Sequence, residues 1–113
     1  MRKNVLIVED DPLLAWASAS VIEDEFGVTP TTVDSTSAAM PLLDDGVDLA
    51  LLDIEVVDGL TFPLARELSE RGVPVVFLSG SDPAKVPNHL SGTPFLQKPV
   101  SPKQLLAAAR QYL

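Results

Sequence analysis

The segment Asn4-Val5-Leu6-Ile7-Val8-Glu9-Asp10-Asp11-Pro12 decides the fold of this chain. Its apolar part is continuous and rich in β-branched side chains, which is typical of a strand buried on both faces of a parallel sheet. Acids follow at once, and Pro12 stands where the first turn of a helix accepts proline. The segment therefore predicts a buried strand, an acidic strand end and the start of a helix.

The same alternation of strand and helix continues along the chain. Further strands are predicted at residues 28–33, 47–52, 73–78 and 95–97, and helices at residues 12–26, 35–44 and 60–71 and from Ser101 onward. Apolar strands separated by helices specify a parallel sheet that is covered on both faces. We therefore predict an α/β fold with a flavodoxin-like, doubly wound, five-stranded parallel sheet in the strand order 2-1-3-4-5.

The stretch between Ser79 and Phe95 departs from this regular alternation. It carries Pro83, Pro87 and Pro94, and it shows little apolar periodicity. Proline disfavours a helix both at its own position and at the position before it. A shortened fourth helix, at most a brief turn segment, is therefore predicted.

Length and composition favour one domain over residues 1–113. A chain of 113 residues with 46% hydrophobic side chains can bury one core without disulfides, and it contains no cysteine. A chain without cysteine has no thiolate zinc site, and the reducing cytoplasm is its expected compartment. Because acids interrupt the first apolar run and no run approaches about 20 residues, we expect neither a signal peptide nor a membrane contact.

The net charge limits the possible partners. The formal charge is −8, from 16 acidic residues against 8 lysines and arginines. A chain this acidic is repelled by phosphate backbones, so we predict no direct nucleic-acid binding. Most of the acids are expected on solvated helix faces, but those that follow apolar strands need another explanation.

Acids end two strands that are neighbours in the predicted sheet. Glu9, Asp10 and Asp11 follow the first strand, and Asp53 follows the third. Clustered carboxylates repel one another unless a cation neutralises them, and oxygen ligands of this kind suit Mg²⁺. The sequence therefore predicts a Mg²⁺ site at this edge. Capping of the following helix is an alternative for Asp10 or Asp11 alone.

A hydroxyl and a cation follow the remaining two strands on this side of the sheet. Ser79 ends the fourth strand and is followed by Gly80, so a bulky anion has room to approach. Lys98 follows the fifth strand and precedes Pro99, and its ammonium is a compact donor to phosphate or carboxylate. Taken singly, each has an ordinary interpretation, as a strand-ending serine and a solvated lysine.

Taken together, these strand ends resemble the receiver domain of two-component response regulators, and the resemblance covers the whole chain. The motifs that carry it are Val8-Glu9-Asp10, Leu52-Asp53, Leu78-Ser79-Gly80 and Lys98-Pro99, with Asp11-Pro12 and Asp58-Gly59 in support. The resemblance implies that Asp53 accepts a phosphoryl group from a phosphohistidine of a sensor histidine kinase or a histidine phosphotransfer protein. The chain would then be a signalling regulator rather than an enzyme, with at most intrinsic autodephosphorylation.

The resemblance also implies roles for the residues around Asp53. Asp10 and Asp53 would hold Mg²⁺ directly, Glu9 directly or through a water, and Glu55 through its backbone carbonyl. Ser79 and Lys98, together with Asp53, would form the catalytic set that receives the phosphoryl group. Phe95 stands where the family often has an aromatic that changes rotamer together with the movement of Ser79, and a core aromatic is the alternative.

Two other interpretations stay open at this point. A pseudo-receiver would keep the fold as a protein-binding module without being phosphorylated. A haloacid-dehalogenase-like phosphatase is suggested by Asp53-Ile54-Glu55, although position 55 lacks the second Asp of that motif. The segment from Asp53 to Gly59 is also shorter than is usual in receivers and lacks their proline, so we expect an altered loop over the site.

Overall fold

The computed structural model describes residues 3–80 and 82–113. Its centre is a five-stranded parallel sheet in the order β2-β1-β3-β4-β5. The strands are β1 (Val5–Val8), β2 (Thr31–Val33), β3 (Leu49–Leu52), β4 (Val75–Ser79) and β5 (Phe95–Gln97). The α-helices are α1 (Pro12–Phe26), α2 (Thr36–Ala39), α3 (Phe62–Glu70) and α4 (Pro102–Arg110). The predicted fold class and the strand order 2-1-3-4-5 are confirmed.

Alternate side chains of the central strands supply two apolar cores. On β1, Leu6 and Val8 pack on the side of α2 and α3, whereas Val5 and Ile7 pack on the side of α1 and α4. Successive side chains of a strand point to opposite faces, so a sheet covered on both sides requires continuous apolar strands. The strand ends are thereby held in place by packing on both faces.

The first helix begins and ends as the sequence predicts. The Asp11 carboxylate accepts hydrogen bonds from the amides of Leu13 and Leu14, and Gly27 ends the helix with a φ of +70°. At 15 residues α1 is also the longest helix in the described part of the chain. Within residues 3–80 and 82–113, no helix has the length and apolar character needed to cross a membrane.

The second helix is shorter than predicted. Ser35 caps it as expected, with its hydroxyl accepting from the Ala38 amide at 3.1 Å. The α-helix covers only Thr36–Ala39, and the chain continues as a 3₁₀ helix over Met40–Asp45. Pro41 has no N–H for an α-helical hydrogen bond, which explains why the regular helix stops before it.

Three strands and one helix begin later than predicted, and one of these strands, β3, starts at Leu49 instead of residue 47. β2 starts at Thr31 and β4 at Val75, each directly after a proline, which cannot donate to a strand ladder. α3 starts at Phe62 because the residues before it form an antiparallel hairpin of Glu55–Val56 and Gly59–Leu60. Gly59 has a φ of +115°, a conformation that favours glycine, and an Asp-Gly pair between apolar residues is a known hairpin signal.

The segment between β4 and β5 confirms the prediction of a shortened fourth helix. From residue 82 onward it contains two single 3₁₀ turns, Pro83–Lys85 and Asn88–Leu90. The first turn begins where the Asp82 carboxylate accepts from the Ala84 amide at 2.9 Å. Leu90, which is 3% exposed, anchors the second turn in the core beside α2 and α3.

Candidate functional site

The register of the sheet places two acidic strand ends side by side. Val8 pairs with Leu52, so the residues that follow them, Glu9 and Asp53, leave their strands at the same level. The Asp53 amide donates to the Val8 carbonyl at 2.9 Å, which continues the ladder by one residue. Because neighbouring strands lie about 4.8 Å apart, the two side chains meet at the carboxyl edge of the sheet.

A cluster of three acids results. Glu9, Asp10 and Asp53 each present a carboxylate oxygen, and these oxygens all lie within 4.8 Å of one another. Ligands of one Mg²⁺ lie about 2.1 Å from the ion, so neighbouring oxygens of its octahedron are about 3.0 Å apart and opposite ones about 4.2 Å. The three acids form an all-oxygen, negatively charged donor set of the kind that suits a hydrated Mg²⁺, and their oxygens would draw closer together around the ion.

Lys98 reaches across from the end of β5 and pairs with two of these acids. Its Nζ lies 2.6 Å from Glu9 Oε1 and 3.2 Å from Asp53 Oδ2. The backbone holds it there, since the Lys98 amide donates to the Ser79 carbonyl at 2.9 Å. The ammonium therefore offsets part of the negative charge that the strand ends gather.

The pKa values of Glu9 and Lys98 indicate which of the two charges is the less favourable to bury. Burial raises the pKa of Glu9 and the charge of Asp53 adds to that rise, while the hydrogen bond from Lys98 opposes both. Burial lowers the pKa of Lys98, but the hydrogen bond to Glu9 and the charges of both acids outweigh it, so that pKa is raised overall. The Lys98 ammonium is therefore firmly charged, and Glu9 carries the costly charge.

A buried threonine that no sequence pattern indicated, Thr61, stabilises the backbone at Asp53. Thr61 is fully buried, and its hydroxyl donates to the Asp53 carbonyl at 2.6 Å while its amide donates to the Ile54 carbonyl at 2.8 Å. The Ile54 amide in turn donates to Asp53 Oδ1 at 2.9 Å. Thr61 precedes Phe-Pro at the start of α3, a pattern that suggests a helix cap, but its side chain makes no cap there.

The other predicted site residues lie on elements beside this cluster. Ser79 is 2% exposed at the end of β4, where it pairs in register with Gln97. Phe95 opens β5 opposite Phe77 and is partly buried against the core beside α2 and α3. Glu55 is exposed on the hairpin that follows Asp53. The structure thus joins the acids and Lys98 by close contact and places these three residues on the flanking elements.

Comparison with known proteins agrees with this geometry. The family model described as the response regulator receiver domain matches residues 5–110. The chain therefore belongs to the response regulator receiver domain family of two-component systems. Proteins of this family are regulators rather than ordinary enzymes.

Particular relatives are consistent with the family assignment. DNA-binding response regulator MtrA of Mycolicibacterium smegmatis is 33% identical over 117 residues, which cover 100% of this chain and 51% of that protein. MtrA of Mycobacterium leprae is also 33% identical over 117 residues, covering 100% of this chain and 52% of its own length. The chain thus spans about half the length of the curated relatives it matches, 51% of the first.

Solved structures share the fold. SdrG from Sphingomonas melonis Fr1 matches with a TM-score of 0.80 and 33% identity, covering 96% of this chain and 93% of SdrG. A CheY-like receiver domain from Methanospirillum hungatei JF-1 matches with a TM-score of 0.87 over 98% of this chain and 93% of its own. The identity to the second is 22%, so that likeness concerns the fold alone.

Replacing Lys98 by Met is expected to lower the free energy of unfolding by about 1–3 kcal/mol at pH 8, because Glu9 is then left buried without its cation. The loss should shrink toward pH 5. The raised pKa of Glu9 means that this carboxyl takes up a proton more readily in the folded state than in the unfolded chain. The cost of burying its charge is therefore absent below the ordinary value of 4.5, develops as pH rises from there, and is complete once pH exceeds the folded value. Urea denaturation at both pH values measures it.

The control is Lys103→Met, which makes the same chemical change at an exposed position on α4. It should change stability by no more than about 0.5 kcal/mol at either pH. Equal losses in the two variants, or a loss in Lys98→Met that is the same at pH 5 and pH 8, would contradict the proposed electrostatics.

Proposed function

We propose that this receiver domain accepts a phosphoryl group on Asp53 and transmits the signal by a conformational change. The observation that carries the proposal is the contact of Asp53 with Lys98, 3.2 Å away, within the acidic cluster. An ionised oxygen of Asp53 attacks the phosphorus of a phosphohistidine whose imidazole is protonated on its other nitrogen, so that the P–N bond breaks and the imidazole leaves as a neutral ring. The product is an aspartyl phosphate.

Burial supports the choice of Asp53 among the clustered acids. Glu9 is only 7% exposed, and its Oε1 is engaged by Lys98 at 2.6 Å, so an incoming phosphoryl group has little access to it. Asp10 is exposed and lies one residue farther from its strand. Asp53 is partly buried, its backbone carbonyl accepts a hydrogen bond from Thr61, and its carboxylate lies against a cation, as a nucleophile that must hold a dianionic phosphoryl group requires.

Two sources of positive charge would act on the phosphoryl group beside Asp53, a bound Mg²⁺ and the Lys98 ammonium. Glu9, Asp10 and Asp53, with the backbone carbonyl of Glu55, would hold Mg²⁺, which when bound supplies positive charge against the phosphoryl oxygens. Lys98 adds a point charge in contact with both Glu9 and Asp53, in keeping with its raised pKa. All of these groups stand at the carboxyl ends of strands or directly after them.

The alternatives receive less support. A haloacid-dehalogenase-like phosphatase needs a carboxylate two residues after its nucleophile that faces the substrate, whereas residue 55 is a glutamate exposed on a hairpin. A pseudo-receiver has no need for a lysine held between two carboxylates, at 2.6 Å and 3.2 Å. Such an arrangement has a cost in desolvation that phosphorylation chemistry explains.

The family points to the partners. A sensor histidine kinase or a histidine phosphotransfer protein would donate the phosphoryl group, in the cytoplasm, where receiver domains typically work. The MtrA relatives are named DNA-binding response regulators, and this chain matches 51% of the first one's length. With a net charge of −8, we propose that the region matched here does not itself contact nucleic acid.

Asp53→Asn should abolish phosphorylation by acetyl phosphate in the presence of Mg²⁺, because the amide nitrogen and oxygen are far weaker nucleophiles than a carboxylate. Intact-mass spectrometry would follow the mass increase of one phosphoryl group. The control is Asp34→Asn, an exposed acid directly after β2, which should be phosphorylated like the wild type. An acid-stable phosphate that resists hydroxylamine, typical of a Ser or Thr ester, would contradict the assignment.

We also propose an output route. Ser79 is drawn to the phosphoryl group, and Phe95, at the start of the neighbouring strand, adjusts behind it. Apart from Leu90, which is buried, residues 82–94 contain only single 3₁₀ turns and few buried side chains. Segments of this kind open and reorder at low cost, so this segment is where the conformational change should appear.

Amide hydrogen exchange with and without beryllofluoride, a phosphoryl mimic, would test this route in the presence of Mg²⁺. Residues 82–94 should change protection more than any other part of the chain, and the protein should dimerise weakly at most. Asp53→Asn serves as the control, since it removes the site of the mimic. No change at residues 82–94 while α1 responds, or a tight dimer formed through residues 82–93, would show that the route is wrong.

A further inference from the structure

The tip of the hairpin after Asp53 is tied to a distant part of the chain. Asp58 lies in the turn, and its carboxylate accepts from the Thr36 amide at 2.9 Å, the Ser37 amide at 3.0 Å and the Ser37 hydroxyl at 3.1 Å. These amides belong to the first turn of α2. One side chain therefore joins the hairpin to a helix that lies 21 or 22 residues earlier in the chain.

The base of the hairpin is held separately. The hydroxyl of Thr61 donates to the Asp53 carbonyl at 2.6 Å, and its amide donates to the Ile54 carbonyl at 2.8 Å. Between this base and the Asp58 contact lies Glu55, paired across the hairpin with Leu60. The backbone of Glu55 is thus fixed from both ends.

The first turn of α2 is a suitable anchor because its amides have no partners within the helix. Ser35 satisfies the amide of Ala38 at 3.1 Å, which leaves those of Thr36 and Ser37 to Asp58. The hydrogen bond from the Thr36 backbone is the largest influence on Asp58 and, with that from Ser37, holds its pKa below the ordinary value of 3.8. The contact is therefore formed by the ionised carboxylate.

We propose that Asp58 is a positioning residue, which holds the hairpin against α2 so that the backbone of Glu55 is kept in place beside the acidic cluster. This inference rests on the proposed function, in which the Glu55 carbonyl is a Mg²⁺ ligand. The segment from Asp53 to Gly59 contains no proline to restrict its backbone. Asp58 supplies through a tertiary contact the rigidity that this loop lacks in its own sequence.

The test compares Mg²⁺ binding to the full chain in Asp58→Ala and in two matched controls, by calorimetric titration at physiological ionic strength. Ser35→Ala removes the other cap of α2 without touching the hairpin. Asp34→Ala removes an equal charge from an exposed acid that lines the same cavity as Glu9 and Asp10. Asp58→Asn, which keeps the size of the side chain, gives a second measurement should the alanine variant fold poorly.

Asp58→Ala should weaken Mg²⁺ binding about tenfold, the usual effect of losing a group that orients a ligand. Phosphorylation by acetyl phosphate should slow in proportion at low Mg²⁺ and recover at saturating Mg²⁺, because Asp58 touches no reacting group. A merely structural role would lower the melting temperature without this recovery. The inference is overturned if Asp58→Ala and Asp58→Asn bind Mg²⁺ like the wild type, or if either control loses as much affinity.

The proposed function fails in a different way. If the wild type itself neither binds Mg²⁺ nor becomes phosphorylated, both the function and the inference are overturned. If the wild type does both and the Asp58 variants match it in affinity, only the positioning role of Asp58 is lost. The two failures are therefore distinguished by the wild-type titration alone.

Discussion

The mutual repulsion of Glu9, Asp10 and Asp53 is the constraint on which the rest of the structure depends. Carboxylates brought within 4.8 Å of one another would separate if the chain were free to move. The apolar strands β1 and β3, buried on both faces, prevent this because shifting either strand would break both cores. The burial of the apolar strands thus stabilises the three carboxylates in positions where a cation and a phosphoryl group can bind to them.

Lys98 turns this constraint into a link across the sheet. The residue stands at the end of β5, yet its ammonium lies on acids that follow β1 and β3, and its amide is bonded to Ser79 at the end of β4. A change in the charge on Asp53 therefore acts on a residue that directly follows β5 and whose amide is hydrogen-bonded to the end of β4. This connection gives a physical basis for a signal that begins at Asp53 and is expressed in the segment between β4 and β5.

Much of the fold followed from the sequence because its elements are set by local pattern. Apolar strands, Pro12 at a helix start and Gly27 at a helix end each act within a few residues. The clustering of Glu9 and Asp53 also followed, since strand order and strand ends suffice to bring them together. The hairpin at residues 55–60 was missed, although Asp58-Gly59 between apolar residues is a local hairpin signal.

Other features depend on contacts between distant residues. The hydroxyl of Thr61 donates to the Asp53 carbonyl and does not cap α3. The carboxylate of Asp58 accepts from amides in the first turn of α2, more than twenty positions away. No spacing rule links either pair, so only the folded chain reveals them.

The most direct test of the central claim is thermal melting of the wild type and of the double variant Glu9→Gln/Asp10→Asn, each with and without Mg²⁺. The account predicts a double variant at least as stable as the wild type without metal and stabilised far less by Mg²⁺. Equal stabilisation of both by the metal would contradict it.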